Sequence, residues 1–151
     1  MNVTFFGHRD APQEIAKKLE TALIEVIEHD GADTFYVGNQ GNFDVMVRQT
    51  LQKLKKIYPQ IEYAAVLAYM PGSCKEDKRT RDDPTIYPEG LEQVPQKFAI
   101  SKRNDWLIEH SDLVIIYTRD NFGYADKWKE CAKKRGKRLI NLAGETDDTT
   151  K

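Results

Sequence analysis

Gly7-His8-Arg9 closes the short run Val3-Thr4-Phe5-Phe6, whose β-branched and aromatic residues read as a buried strand. An arginine at such a strand end can hold a phosphate through its planar fork of donors, with the neighbouring imidazole donating or accepting beside it. The plain alternative is a surface ion pair for Arg9 and simple packing for His8. A second run, Thr34-Phe35-Tyr36-Val37, ends in Gly38-Asn39-Gln40-Gly41. Glycines there permit close backbone approach, and the free amides of a helix start face any anion placed before them. On spacing alone this segment reads equally as a phosphate cradle or a tight strand-to-helix turn, and its position near the middle of a parallel sheet favours the ligand.

Asp44 falls in the first turn of the helix that follows, where the helix dipole favours an acid whatever its role. Its functional reading is a ribose-binding or general acid-base carboxylate beside the cradle. Arg103-Asn104-Asp105 put three polar groups on a later helix, either reaching the pocket or facing water. Thr118 to Gly123 follow another apolar run and complete the set of strand ends at which a ligand is expected.

Sharper motifs are missing. The first strand-to-helix turn has no Gly-x-Gly-x-x-Gly, and the second strand ends in Gly38-Asn39 where a dinucleotide binder would place an acid. Neither a Walker A segment nor a Gly-x-Ser-x-Gly elbow occurs, and His8, His29, His110, Cys74 and Cys131 show no metal-ligand spacing. No cofactor and no metal are expected.

The elements that must position these groups alternate strand and helix. Asp10 is expected to cap a first helix with Pro12 in its first turn and Gln13 completing a capping box, and Ile15, Leu19, Leu23 and Val26 form its apolar stripe up to Gly31. Asn42 is expected to cap a second helix carrying Phe43, Val47, Leu51 and Leu54 until Pro59. A third strand spans Tyr63 to Tyr69, and a polar stretch from Ser73 to Gln96 reads as a long loop able to act as a lid. A helix reaching His110, a strand at Leu113–Tyr117, a helix over 124–135 capped by Gly136 and a last strand at Arg138–Leu142 follow. The pattern predicts an α/β, Rossmann-like three-layer sandwich with a five-stranded parallel sheet in the order 3-2-1-4-5, one domain over residues 1–143 and a disordered tail over 144–151. Ligands bind such sheets beyond the carboxyl ends of the strands, near the first and fourth, where the order reverses.

Composition narrows the partners. The 23 basic and 24 acidic side chains leave a net charge of −1, which supplies no global field for DNA or an anionic membrane, so a nucleic-acid partner is not expected. Apolar runs of a few residues fall far short of the ~20 needed for a membrane span. No signal-like amino terminus is apparent and the two cysteines are read as reduced thiols, which together predict a cytoplasmic protein. A homodimer stays open.

Taken together, Phe6-Gly7-His8-Arg9, then Gly38 through Asp44, then Lys102-Arg103-Asn104-Asp105-Trp106 followed by Ser111-Asp112-Leu113-Val114-Ile115, resemble the SLOG superfamily, most closely its bacterial YpsA-like branch, over nearly the whole chain to Leu142. The resemblance implies a Rossmann-like fold and a nucleotide-like small-molecule ligand, sensed in some members and cleaved at its base–ribose bond in others, with further members acting beside DNA. In the related Lonely Guy enzymes a glycine-rich segment after the fourth strand leads to a catalytic glutamate. Here the matching position is Lys129, with Glu130 one residue on and about 100° around the helix. The leading expectation is therefore nucleotide binding, followed by an N-glycosidic enzyme with Asp44 or Glu130 as its carboxylate, and third by a DNA-processing partner protein.

Overall fold

The computed structural model describes residues 1–7, 11–39, 41–70, 83–118 and 124–143. Strands β1 (Asn2–Gly7), β2 (Thr34–Val37), β3 (Glu62–Val66), β4 (Thr85–Ile86), β5 (Leu113–Tyr117) and β6 (Arg138–Asn141) alternate with helices α1 (Ile15–His29), α2 (Gly41–Ile57), α3 (Ala99–Glu109) and α4 (Tyr124–Lys134). All strand pairs are parallel, in the order β4-β3-β2-β1-β5-β6. The expected order is thus correct from β3 to β6, with one additional strand at the β3 edge.

That sixth strand corrects the reading of Ser73 to Gln96 as a featureless loop. Residues 71–82 lie outside the described set, but Thr85 and Ile86 pair with Ala65 and Val66, and Leu67 donates its N–H to the Ile86 carbonyl. Two 3-10 turns, Leu91–Gln93 and Gln96–Phe98, then lead into α3. Thr85 and Ile86 are therefore built into the sheet edge.

Two helix starts also differ from expectation. α1 begins at Ile15, with Glu14 before it making no side-chain cap, and Ile15 and Ala16 donate their N–H groups back to Pro12 and Gln13 in a backbone turn. Asp10 lies outside the described residues. α2 begins at Gly41, whose φ of +87° is open to glycine and strained for other residues, so Asn42 stands inside the helix and does not cap it. The polar tail 144–151 lies outside the described residues.

Side chains alternate across the sheet as the pleat requires. Val3, Phe5, Leu113, Ile115 and Tyr117 pack with α1 and α2 on one face. Phe6, Val114 and Ile116 pack with Leu107 and Ile108 of α3 and with Ala125, Trp128 and Ala132 of α4 on the other. This division follows from right-handed crossovers running out from β1 in both directions, and it puts the reversal of strand order between β1 and β5. Among the described residues no helix is long and apolar enough to cross a membrane.

Gly7, the last residue of β1, lies under the ring of Phe43 in the first turn of α2. A Cβ built on it would stand 2.3 Å from that ring, which itself stacks on Tyr117 with centroids 6.4 Å apart. Only a hydrogen fits between strand and ring. Gly7→Ala is expected to lower the melting temperature by about 3–10 °C, the range for overpacking a core in a protein of this size. Circular dichroism melts of Gly7→Ala with and without Phe43→Leu check the cause, since thinning the ring should recover part of the loss.

Candidate strand-end site

The carboxyl ends of β2 and β3 are held by one side chain. Arg103, from the middle of α3, is 1% exposed and sends Nη1 to the Val66 carbonyl at 2.8 Å and to Asn39 Oδ1 at 3.0 Å, while Nε donates to Asn104 Oδ1 at 2.8 Å. Its planar fork thereby ties the last residue of β3 to the turn after β2. A charged group so deeply placed is costly unless hydrogen-bonded, and here Nη1 and Nε meet a carbonyl and two amide oxygens.

Gly38 makes this closeness possible. A Cβ there would stand 2.8 Å from Asp44 Oδ2 and 3.4 Å from Arg103 Cζ and Nη1. Asp44 and Arg103 thus both crowd the space over the Gly38 backbone. Both are buried, as is Asn39.

Asp44 heads a row along α2 at four-residue spacing, continued by Arg48 and Gln52, which places all three on one helix face. Arg48 donates through Nη1 to the Gly38 carbonyl at 3.3 Å and pairs through Nε with Asp83 Oδ2 at 3.2 Å, both side chains being buried. Asp83 Oδ1 accepts from Gln52 Nε2 at 2.7 Å and from the Tyr63 hydroxyl at 2.8 Å. This clasp fastens the chain entering β4 to α2 and to β3. Three donors on one carboxylate compensate its desolvation, the condition under which a buried pair is tolerated.

The structure therefore brings together Gly38, Asn39, Asp44, Arg103 and Asn104, with Gly41 opening α2 beside them and Gly7 at the neighbouring strand end. Asp105 parts from its neighbours and faces water, where it pairs with Arg135 at 3.3 Å. Thr118 is buried at the end of β5 and its carbonyl accepts from Asn141 Nδ2 at 3.3 Å, on the far side of β1 from the cluster. Glu130 does not join the site: its side chain is 55% exposed on α4 and its nearest cation is Lys133 at 3.8 Å. His8, Arg9, Gln40 and Gly123 lie outside the described residues. The sequence reading missed Arg48 and Asp83, and the four-residue spacing of Asp44, Arg48 and Gln52 beside an apolar stripe was the available signal for the first of them.

No family model matches the chain. A UPF0398 protein of Oenococcus oeni is 28% identical over 134 residues, covering 80% of this chain and 70% of its own length, and UPF0398 is the YpsA family. Among solved structures, DNA processing protein A of Helicobacter pylori superposes with a TM-score of 0.65 at 17% identity, over 98% of this chain and 67% of that one. The Streptococcus pneumoniae protein of the same name gives 0.64 at 19%, over 97% of this chain and 52% of that one. DNA processing protein A is itself a SLOG protein. The chain is thus similar in sequence to a YpsA-family protein and shares the fold of a SLOG protein. The chain spans about half the length of the Streptococcus protein.

The Helicobacter structure was described for its mode of binding single-stranded DNA. That finding overturns the expectation that a nucleic-acid partner is unlikely for a chain of this fold. Net charge sums over the whole surface, whereas phosphates respond to the few groups within a Debye length of roughly 8–10 Å. A chain near neutrality can still carry a local grip.

The clasp leaves a titration signature. Burial first, and then the hydrogen bond to Asp83, push the Tyr63 hydroxyl from its usual 10 up to about 12. The phenol therefore holds its proton more tightly in the folded protein. The stability this contributes is whole below pH 10 and is lost as the pH climbs toward about 12. Urea unfolding followed across that pH range should show a shallower decline for Tyr63→Phe than for the native protein, and equal declines would exclude Tyr63 as a source.

Proposed function

We propose that the domain binds nucleotide units in the cradle around Gly38, and that it takes them as single-stranded DNA. The observation that carries this reading is the Arg103 network itself. An arginine buried as deeply as this adds little net stability over apolar packing, so its natural use is to fix positions. The positions it fixes are the turn after β2 and the end of β3, at the edge where ligands meet parallel sheets.

In this reading the amides at the start of α2 and the fork of Arg9 receive phosphate, and Asp44 receives a sugar hydroxyl. Arg103 and Asn104 brace the floor and do not themselves reach the ligand. The fold shared with a DNA-binding neighbour supports the polymeric form of the ligand over the free nucleotide. A glycosidase reading depends on Asp44, since Glu130 faces water. Release of free base from nucleoside monophosphates that persists in Asp44→Asn counts against it.

Fluorescence anisotropy with a labelled oligothymidylate tests the main proposal. Binding is expected to weaken linearly with log salt, in proportion to the phosphates neutralised. Gly38→Ala, which must displace Asp44, is expected to weaken binding about tenfold while the melting temperature moves by only a few degrees, as for a loss of about 1 kcal/mol. No anisotropy change at low salt, or competition by a free nucleotide at concentrations well below those of the oligomer, would overturn single-stranded DNA as the ligand.

A further inference from the structure

Next to the cradle, on the β4 side, lies an open cleft of about 160 Å³ lined by Tyr69, Met70, Tyr87, Leu91, Glu92 and Gln96. Ala99, at the start of α3, forms part of its wall four residues before Arg103, about 6 Å along the axis. The same strand links the two places, because Val66, which accepts from Arg103, lies two residues before Ala68 on the cavity wall. The volume is below the roughly 300–1,000 Å³ of a site for a drug-sized molecule and suits a single planar ring system.

The lining has the chemistry of a stacking site. Two tyrosines line it, together with the buried Leu91 and Ala99. Glu92 and Gln96 are exposed at the rim, so one acceptor-only group and one amide stand where the polar edge of a ring would emerge. Met70 and Phe98 are each 51% exposed, and Lys97 Nζ lies 5.3 Å from the centroid of the Phe98 ring. An apolar surface with a cation beside it therefore flanks the cavity. Burial, and then the charge of Glu92, raise the Tyr87 hydroxyl above its ordinary range, so it remains a neutral donor.

We infer that this cavity is a nucleobase subsite, in which a base of the bound strand or nucleotide lies against the tyrosines while the adjoining phosphate occupies the cradle. The inference rests on the nucleotide-binding reading above and specifies a part of it. Stacking on an aromatic face tolerates any base, and a carboxylate at the rim accepts from an exocyclic amino group, so cytosine should be favoured over thymine.

The test compares oligodeoxycytidylate, oligothymidylate, an abasic oligomer of the same length and the free nucleoside monophosphates, by anisotropy and competition. For the native protein, the abasic oligomer is expected to bind about tenfold more weakly than oligodeoxycytidylate. Tyr87→Ala should erase that difference by weakening the base-bearing strand alone, and Tyr87→Phe should keep most of it. Glu92→Gln should reduce the cytosine preference and leave thymine binding unchanged. Ultraviolet cross-linking of an iododeoxyuridine oligomer should map to the peptide bearing Tyr69 and Met70 or to that bearing Tyr87. A Tyr87→Ala protein that binds both strands more weakly by the same factor has a structural defect, and the subsite is then refuted. Equal affinity of the native protein for abasic and base-bearing strands also refutes it, leaving DNA binding intact. Binding by no oligomer or nucleotide removes the parent reading instead.

Discussion

The guanidinium of Arg103 is the constraint on which the strand-end region depends. Parallel strands present carbonyls at their carboxyl ends that have no further ladder partner, and each such group must be met or left wet. Arg103 meets the one at Val66 and reaches across to Asn39, turning two chain ends into one rigid edge. Its depth in turn dictates Gly38, because any larger residue would press on Asp44 and on the guanidinium itself. Removing such a group would leave uncompensated partners behind, which costs more than the contact is worth in isolation.

Arg48 and Asp83 do for the β4 edge what Arg103 does one layer inward. Their pair is closed by Gln52 and Tyr63, so the carboxylate meets three donors from two elements. This explains how a strand of two residues, too short to hold by its own ladder, keeps its place. A short edge strand is also a poor template for pairing with another chain, so the polar clasp secures the sheet without lengthening an exposed edge.

Much of the architecture was legible because buried parallel strands read as dense runs of β-branched and aromatic residues, as at Val3–Phe6 and Leu113–Tyr117. Thr85-Ile86 was not legible: two residues between prolines carry no period, and only pairing with Ala65 and Val66 makes them a strand. The start of α2 failed for a related reason, since Asn42 satisfies a local capping rule but stands inside a helix that opens at Gly41. In the site, Gly38, Asn39 and Asp44 stood out through their place at a strand-to-helix turn. Arg48 could not be matched to Asp83, 35 positions away, by any local pattern. Glu130 was carried by alignment to a neighbouring glutamate position, and one step along a helix was enough to turn it to solvent.

Val66 carries a further consequence. It ends β3, anchors the Arg103 fork through its carbonyl and begins the short path into the cavity wall. Cradle and cavity therefore both border the end of one strand. Whatever ordering a ligand imposes on that strand end at the first is already in place for the second, so the entropy of organising it is charged once. Affinity across the pair should then grow faster with ligand length than the sum of separate contacts, a property of shared rigidity and not of added surface.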